Sequence, residues 1–307
     1  MKLIRLIFSM LALSVSVPTL AYDGVYAFGD SLSDTGNVYT ATGGLFPPAP
    51  YYQGHFSNGP VMVEYLSQSL GVGLHDYAYG GATTGTVNII NGSNGISGLP
   101  GLSQEIAQHG SSALDPNGLY TVWAGANDIN ASMSIATSTD NITSAVSTLE
   151  QNGARHIMVL NMPNLGLIPE VLSLGSGASA SFTSYSQSFN QILSGKLDSL
   201  QTSLGTSANI MQFDVYGAMT QVFANPSAYG FSNITQGCLD ASTGALCSTL
   251  PAVQNTYAFW DGLHPTTHLD QILATDVMAA AVPEPGELAM LLAGLGLLGL
   301  IKRKKAA

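Results

Sequence analysis

The feature that most limits the fold is a short apolar run ending in an abrupt turn, and it recurs along the chain. Val25-Tyr26-Ala27-Phe28 stops at Gly29-Asp30-Ser31, Leu119–Trp123 runs into Gly125-Ala126-Asn127-Asp128, and Ile157–Leu160 runs into Asn161-Met162-Pro163. Runs this short, apolar throughout rather than alternating, fit strands buried on both faces. Between them lie helical patterns over Ile142–Leu149 and in the stripe Phe182, Tyr185, Phe189, Leu193, Leu197, Leu200 and Leu204, which reads as a helix face packed on the core. A further strand over Ile210–Val215 and a final helix from about His268 to Ala280 complete the alternation. The expected fold is α/β, a mainly parallel sheet covered on both faces. Ligands of such sheets bind at the carboxyl ends of the strands, so the loops after Phe28, Trp123 and Leu160 should share one face. Two long Gly/Pro-rich connections, Thr40–Pro60 and Asn225–Tyr257, are too long for turns and should wall a cleft.

Of 307 residues 46% are hydrophobic, enough for a substantial core. The basic residues sit at the two ends, Lys2 and Arg5 at one and Lys302–Lys305 at the other, so that residues 22–282 carry only Arg155 and Lys196 against seventeen acidic side chains. A body so poor in cations has no means of neutralising phosphates, which argues against nucleic acid as a partner. Lys2 and Arg5, the apolar run Leu6–Val17, Pro18 and the small-residue ending at Ala21 read as a secretory signal peptide over residues 1–21. As a helix that run spans about 18 Å against a hydrocarbon core of about 30 Å, short for a membrane anchor.

At the other end Val282-Pro283-Glu284-Pro285 precedes the apolar stretch Leu288–Ile301 and the basic run Lys302–Lys305. Residues 283–307 resemble the Pro-Glu-Pro sorting tails of Gram-negative bacteria. The resemblance implies transient membrane contact through the tail, an exosortase-like processing enzyme as a partner, and an extracellular or surface location; a permanent short anchor is the alternative reading. Residues 22–282 are then the working domain. Cys238 and Cys247, close together in an exported chain, are expected to form a disulfide. A metal would need more ligands, and the histidines outside the motifs, His55, His75, His109, His156 and His268, show no ligand spacing, so no metal or cofactor is expected.

Four motifs carry chemistry. Phe28-Gly29-Asp30-Ser31-Leu32-Ser33-Asp34 places a serine where a buried strand gives way to a turn; such a serine is either a nucleophile or a helix cap. Asp76-Tyr77-Ala78-Tyr79-Gly80-Gly81-Ala82 offers a glycine whose N–H can approach a substrate closely, though a Gly-Gly pair is also an ordinary turn. In Gly125-Ala126-Asn127-Asp128 the Asn127 amide is a donor that does not titrate. In Asp261-Gly262-Leu263-His264 the spacing lets a carboxylate reach Nδ1 of the imidazole while Nε2 points away.

Together and in this order the motifs resemble the blocks of GDSL (SGNH) hydrolases, and the likeness extends over about residues 23 to 280. It implies a flavodoxin-like three-layer fold and a serine esterase or lipase. Ser31, Asp261 and His264 would be the catalytic triad, with the N–H groups of Ser31 and Gly81 and the Asn127 amide as the oxyanion hole. Two positions depart from the pattern. Asp76 stands where Asn is usual, which puts a local hydrogen bond in question, and His55 stands where relatives often carry Arg. No Gly-x-Ser-x-Gly occurs, which counts against a nucleophile-elbow hydrolase.

The expected substrate is a small-molecule or lipid ester. Leu45, Phe46, Tyr51, Tyr52 and Phe56 favour an acyl or aryl ester, with acetylated polysaccharide also open. Acyl transfer to an alcohol and a non-catalytic surface protein are the competing functions.

Overall fold

The computed structural model describes residues 22–240 and 242–282. The expected signal segment and sorting tail therefore lie outside the described residues. Among those residues no helix is long and apolar enough to cross a membrane. In chain order the elements are β1 (Gly24–Gly29), α1 (Asn37–Ala41), α2 (Met62–Leu70), β2 (Gly73–Asp76), α3 (Leu102–His109), β3 (Leu119–Trp123), α4 (Ile135–Gln151), β4 (His156–Leu160), α5 (Pro169–Ser173), α6 (Ser176–Leu204), β5 (Asn209–Phe213), α7 (Val215–Ala224), β6 (Asn233–Gly237), β7 (Leu239–Asp240), β8 (Ala245–Leu246), α8 (Pro251–Gln254), β9 (Tyr257–Phe259) and α9 (Thr267–Ala281).

Five parallel strands form the central sheet in the order β2-β1-β3-β4-β5. β3 is buried along its whole length and β1 at all but one residue, as their uninterrupted apolar runs require. Helix α2 packs on α9 to cover one face, and α3, α4 and α6 pack together on the other, giving three layers. The stripe expected on α6 is an inward face: Phe189, Leu193 and Leu197 are buried. The strand order reverses direction between β1 and β3, and at such a switch point the loops leaving neighbouring strands diverge and open a crevice. The loops carrying Ser31 and Asn127 leave these two strands.

One boundary differs from expectation, and one strand was not expected at all. β5 ends at Phe213 rather than Val215, because the Asp214 carboxylate accepts the Gly217 N–H at 3.0 Å and starts α7 at Val215. β2 carries no apolar signature; it is a four-residue edge strand whose side chains are exposed or half-buried, held by its ladder to β1. The disulfide forms, with Cα atoms of Cys238 and Cys247 4.7 Å apart, and it closes the small β7–β8 hairpin inside the long connection before β9. Closing so short a loop contributes about 2–3 kcal/mol, mainly by restricting the unfolded chain.

Candidate active site

The chain places Ser31 by crowding the ends of two strands. A Cβ at Gly29 would collide with the Trp123 carbonyl oxygen, so only glycine lets β1 approach β3 so closely before turning away. The Gly29 N–H donates to the buried Glu105 carboxylate on α3 at 2.9 Å, and the Ser33 and Asp34 N–H groups bond back to the Asp30 carbonyl. These bonds fold residues 30–34 into a tight turn that carries Ser31.

His264 arrives from the far end of the chain. After β9, the Asp261 carboxylate accepts the Leu263 and His264 N–H groups on Oδ1, both at 2.7 Å, so it shapes the turn that bears the imidazole. Its other oxygen, Oδ2, accepts His264 Nδ1–H at 2.8 Å, and His264 Nε2 lies 2.9 Å from Ser31 Oγ. Ser31, His264 and Asp261 thus form one hydrogen-bonded line.

The model for GDSL-like lipases and acylhydrolases matches residues 25–277, nearly all of the described chain. The chain belongs to this family. As a GDSL-type enzyme it is a carboxylic ester hydrolase, and residues 281–305 match the PEP-CTERM protein-sorting motif. A phosphatidylcholine-sterol acyltransferase of Aeromonas hydrophila is 30% identical over 72% of this chain. A thermolabile hemolysin of Vibrio parahaemolyticus is 26% identical over 84% of it. The alignments span 67% and 63% of those two relatives' own lengths. A solved GDSL-family protein from Veillonella parvula aligns over 83% of this chain and 96% of its own with 14% identity and a TM-score of 0.43, which adds nothing to the family match.

Within this GDSL hydrolase the loops around Ser31 are tied together by buried carboxylates. Asp34 accepts the Gly36 and Asn37 N–H groups on Oδ1, and those of Val38 and Gly80 on Oδ2, so it starts α1 and pins the Gly80-Gly81 loop. Asp76 resolves the departure from the usual Asn. Its carboxylate accepts the Thr35 N–H and hydroxyl, the Asn37 amide and the Ala78 N–H, while burial and the charge of Asp34 push its pKa up to about 7. Asp128 accepts the Thr84 N–H and hydroxyl, joining the loop after β3 to the stretch that follows Gly81.

Gly81 adopts a φ of 76°, and a Cβ there would press within 2.7 Å of Asn88 and Ile90, so the position requires glycine. The N–H groups of Ser31 and Gly81 donate to no acceptor among the described residues. Asn127 Nδ2 donates to the Ala82 carbonyl at 3.0 Å and lies 3.5 Å from Asp30 Oδ2. Asn127 lines a cavity together with Ser31 and His264; Gly81 reaches this sheet end through Asp34 but does not line that cavity.

The electrostatics suit a proton shuttle. Burial opposes ionisation of Asp261, but the charge of His264 and the hydrogen bonds from His264 and Tyr51 outweigh it and hold the pKa down at about 2. For His264, burial works against the imidazolium, yet the Asp261 charge and hydrogen bond prevail, helped by the charges of Asp30 and Glu170, and the pKa is raised. Burial pushes Asp30 up to about 7, against the stabilising Leu32 N–H.

Tyr51 is the partner that sequence reasoning missed. Its hydroxyl donates to Asp261 Oδ2 at 2.6 Å, the oxygen that also binds His264. The sequence marks Tyr51 only as one aromatic among several in a cleft wall. Phe46, Tyr51 and Phe56 do line a groove that also touches Asp261 and His264, whereas Leu45 and Tyr52 are exposed away from it. His55 does not face the groove either: its ring bonds the Tyr52 carbonyl and the Glu64 carboxylate. Of the other histidines, His75 stacks on Tyr26, His109 on Tyr77, His156 packs against Tyr22, and His268 bonds the Tyr229 carbonyl.

Proposed function

We propose that this enzyme is an exported serine esterase acting through an acyl-enzyme. Ser31 is the nucleophile, His264 the general base and then acid, and Asp261 the carboxylate that fixes the imidazole tautomer. Ser31 N–H, Gly81 N–H and the Asn127 amide are the oxyanion donors. The observation that carries this reading is the contact of His264 Nε2 with Ser31 Oγ at 2.9 Å while Nδ1 is held by Asp261 at 2.8 Å. As Oγ attacks the ester carbonyl, Nε2 takes the hydroxyl proton; it returns that proton to the alcohol oxygen as the C–O bond breaks. Water then repeats the cycle and releases the acid.

The substrate class is a carboxylic ester of a lipid, aryl or short-acyl kind. An alcohol replacing water would make the enzyme an acyltransferase, a reading favoured by the relative whose name is phosphatidylcholine-sterol acyltransferase. The domain plan proposed with this function is a signal peptide over residues 1–21, the hydrolase over 22–282 and a sorting tail over 283–307. The tail would touch the membrane transiently and be processed by an exosortase-like enzyme at the surface of a Gram-negative cell; the sorting-motif match supports this.

Ser31→Ala tests the triad. Turnover should fall by up to about 10⁶-fold with the fold retained. A fluorophosphonate should label the parent at Ser31, and labelling of another serine would overturn the assignment. Product analysis with added alcohol separates hydrolysis from transfer.

A further inference from the structure

Two cavities of different character meet at His264. The smaller, about 160 Å³, touches Ser31, Asn127 and His264 and reaches inward past Val171 on α5, Phe182 on α6 and Met219 on α7 to Leu273 in the core. The larger, about 1230 Å³, is walled by the 40–60 connection and the disulfide hairpin; it touches Asp261 and His264 but neither Ser31 nor Asn127. We propose that the smaller cavity binds the acyl chain, with room for about six carbons, and that the larger groove binds the alcohol, uncharged or cationic rather than anionic. This rests on the acyl-enzyme reading above.

The directions follow from the chemistry at one carbon. Once Ser31 Oγ is bonded to the carbonyl carbon, the oxyanion must face Asn127 and the leaving oxygen must face His264 Nε2, the source of its proton. The groove is the space that meets His264 without meeting Ser31 or Asn127, so the alcohol departs into it. The acyl chain takes the remaining direction, into the cavity shared by Ser31 and Asn127.

Size and lining set the class of each half. A closed apolar cavity of about 150 Å³ accepts a guest the size of benzene, about six carbons. Away from its Ser31 end this cavity is lined by aliphatic and aromatic side chains such as Leu165, Val171 and Phe182, so each added methylene gains burial until the space is full. The groove lining carries Asp240 and Asp261 and no Lys or Arg, and Glu170 lies where groove and cavity adjoin, so a negatively charged alcohol meets repulsion there.

The test is a two-way panel on the full chain, varying acyl length with a fixed nitrophenyl alcohol and alcohol charge with a fixed hexanoyl group. kcat/KM should rise about fourfold per methylene, the value of a buried CH₂, up to about six carbons and then level. Hexanoyl choline should be preferred to the hexanoyl ester of glycolate, with the ratio shrinking as salt rises. Val171→Phe should lower the hexanoyl-to-acetyl ratio at least about tenfold without altering the choline-to-glycolate ratio. Leu174→Trp, at the 67% exposed mouth where misfolding is not a concern, should lower the same acyl ratio. Labelling of Ser31 by a methyl fluorophosphonate reports an intact triad in each variant. A rise continuing to about sixteen carbons, a preference for glycolate, or unchanged acyl ratios in both labelled variants would overturn the assignment of the cavities and leave the triad standing. Undiminished turnover in Ser31→Ala would instead remove the reading beneath it.

Discussion

Asp261 receives four hydrogen bonds, two from backbone N–H groups, one from His264 and one from Tyr51. The first two shape the turn and the last two share one oxygen, so Tyr51 competes with His264 for the same negative charge. Tyr51→Phe should therefore do two things. It removes a donor from a buried carboxylate, at a cost of about 1–3 kcal/mol in stability. It also leaves Asp261 a stronger partner for the imidazolium, so the His264 pKa rises and the acidic limb of kcat/KM moves to higher pH. A purely structural role would lower stability and leave the limb in place. In the parent enzyme that limb should already lie above 6.5, the ordinary imidazole value, because the carboxylates of Asp261, Asp30 and Glu170 all favour the imidazolium that must lose its proton to act as base. Burial pushes Asp30, one of these carboxylates, up to about 7. A pH–rate profile of Asp30→Asn should keep a single limb, displaced downward, since one of the three carboxylate charges facing His264 is gone.

At the scale of elements, the site is assembled by loops whose hydrogen bonds cross between motifs, and Asp34 is the clearest joint. Asp34→Asn keeps an oxygen for the Gly36 and Asn37 N–H groups, but the amide NH₂ then faces the N–H groups of Val38 and Gly80. The Gly80-Gly81 loop should loosen. kcat is expected to fall about 10²-fold with a smaller change in KM, the pattern of a displaced oxyanion donor; a change in KM alone would contradict it. The same joint shows what a linear reading can and cannot reach. The buried strands, the long stripe of α6 and the four motifs were legible because each is a local pattern: an apolar run, a helical period, or a spacing of three residues. β2 was not, because its only support is the ladder to β1, and its side chains are those of an exposed edge. Tyr51 was not, because its partner lies 210 positions away, and no property of an isolated tyrosine distinguishes a groove wall from a donor to the Asp261 carboxylate. The carboxylates of Asp34, Asp128 and Glu105 were invisible for a related reason. An acidic residue in a sequence suggests a solvated surface, whereas these three are fully buried and held by N–H and O–H donors from distant loops.

At the scale of the molecule, the two ends of the described fold close on each other. Tyr22, at its start, is buried and its hydroxyl donates to the carbonyl of Ala281, the last residue of α9, at 2.6 Å. Pro283 and Pro285 follow directly, and proline cannot continue a helix of this kind because it lacks the N–H and its ring strikes the preceding turn. The family match stops at residue 277 and the sorting motif begins at 281, so the domain plan proposed above places its boundary at this closure. A protein of residues 22–282 should accordingly retain kcat/KM within about twofold of the full chain and melt within a few degrees of it, a shift equivalent to less than about 1 kcal/mol. Removing two residues more at the start, Tyr22 and Asp23, should lower the melting temperature measurably, because the buried Ala281 carbonyl loses its donor. Intact-mass measurement of protein recovered from the surface of the producing cell completes the test. Loss of the segment after the Pro-Glu-Pro run with activity retained is the expected result. Activity that disappears with the tail would place residues 283–307 within the enzyme, and a surface form retaining Leu288–Ala307 would make the tail a permanent anchor.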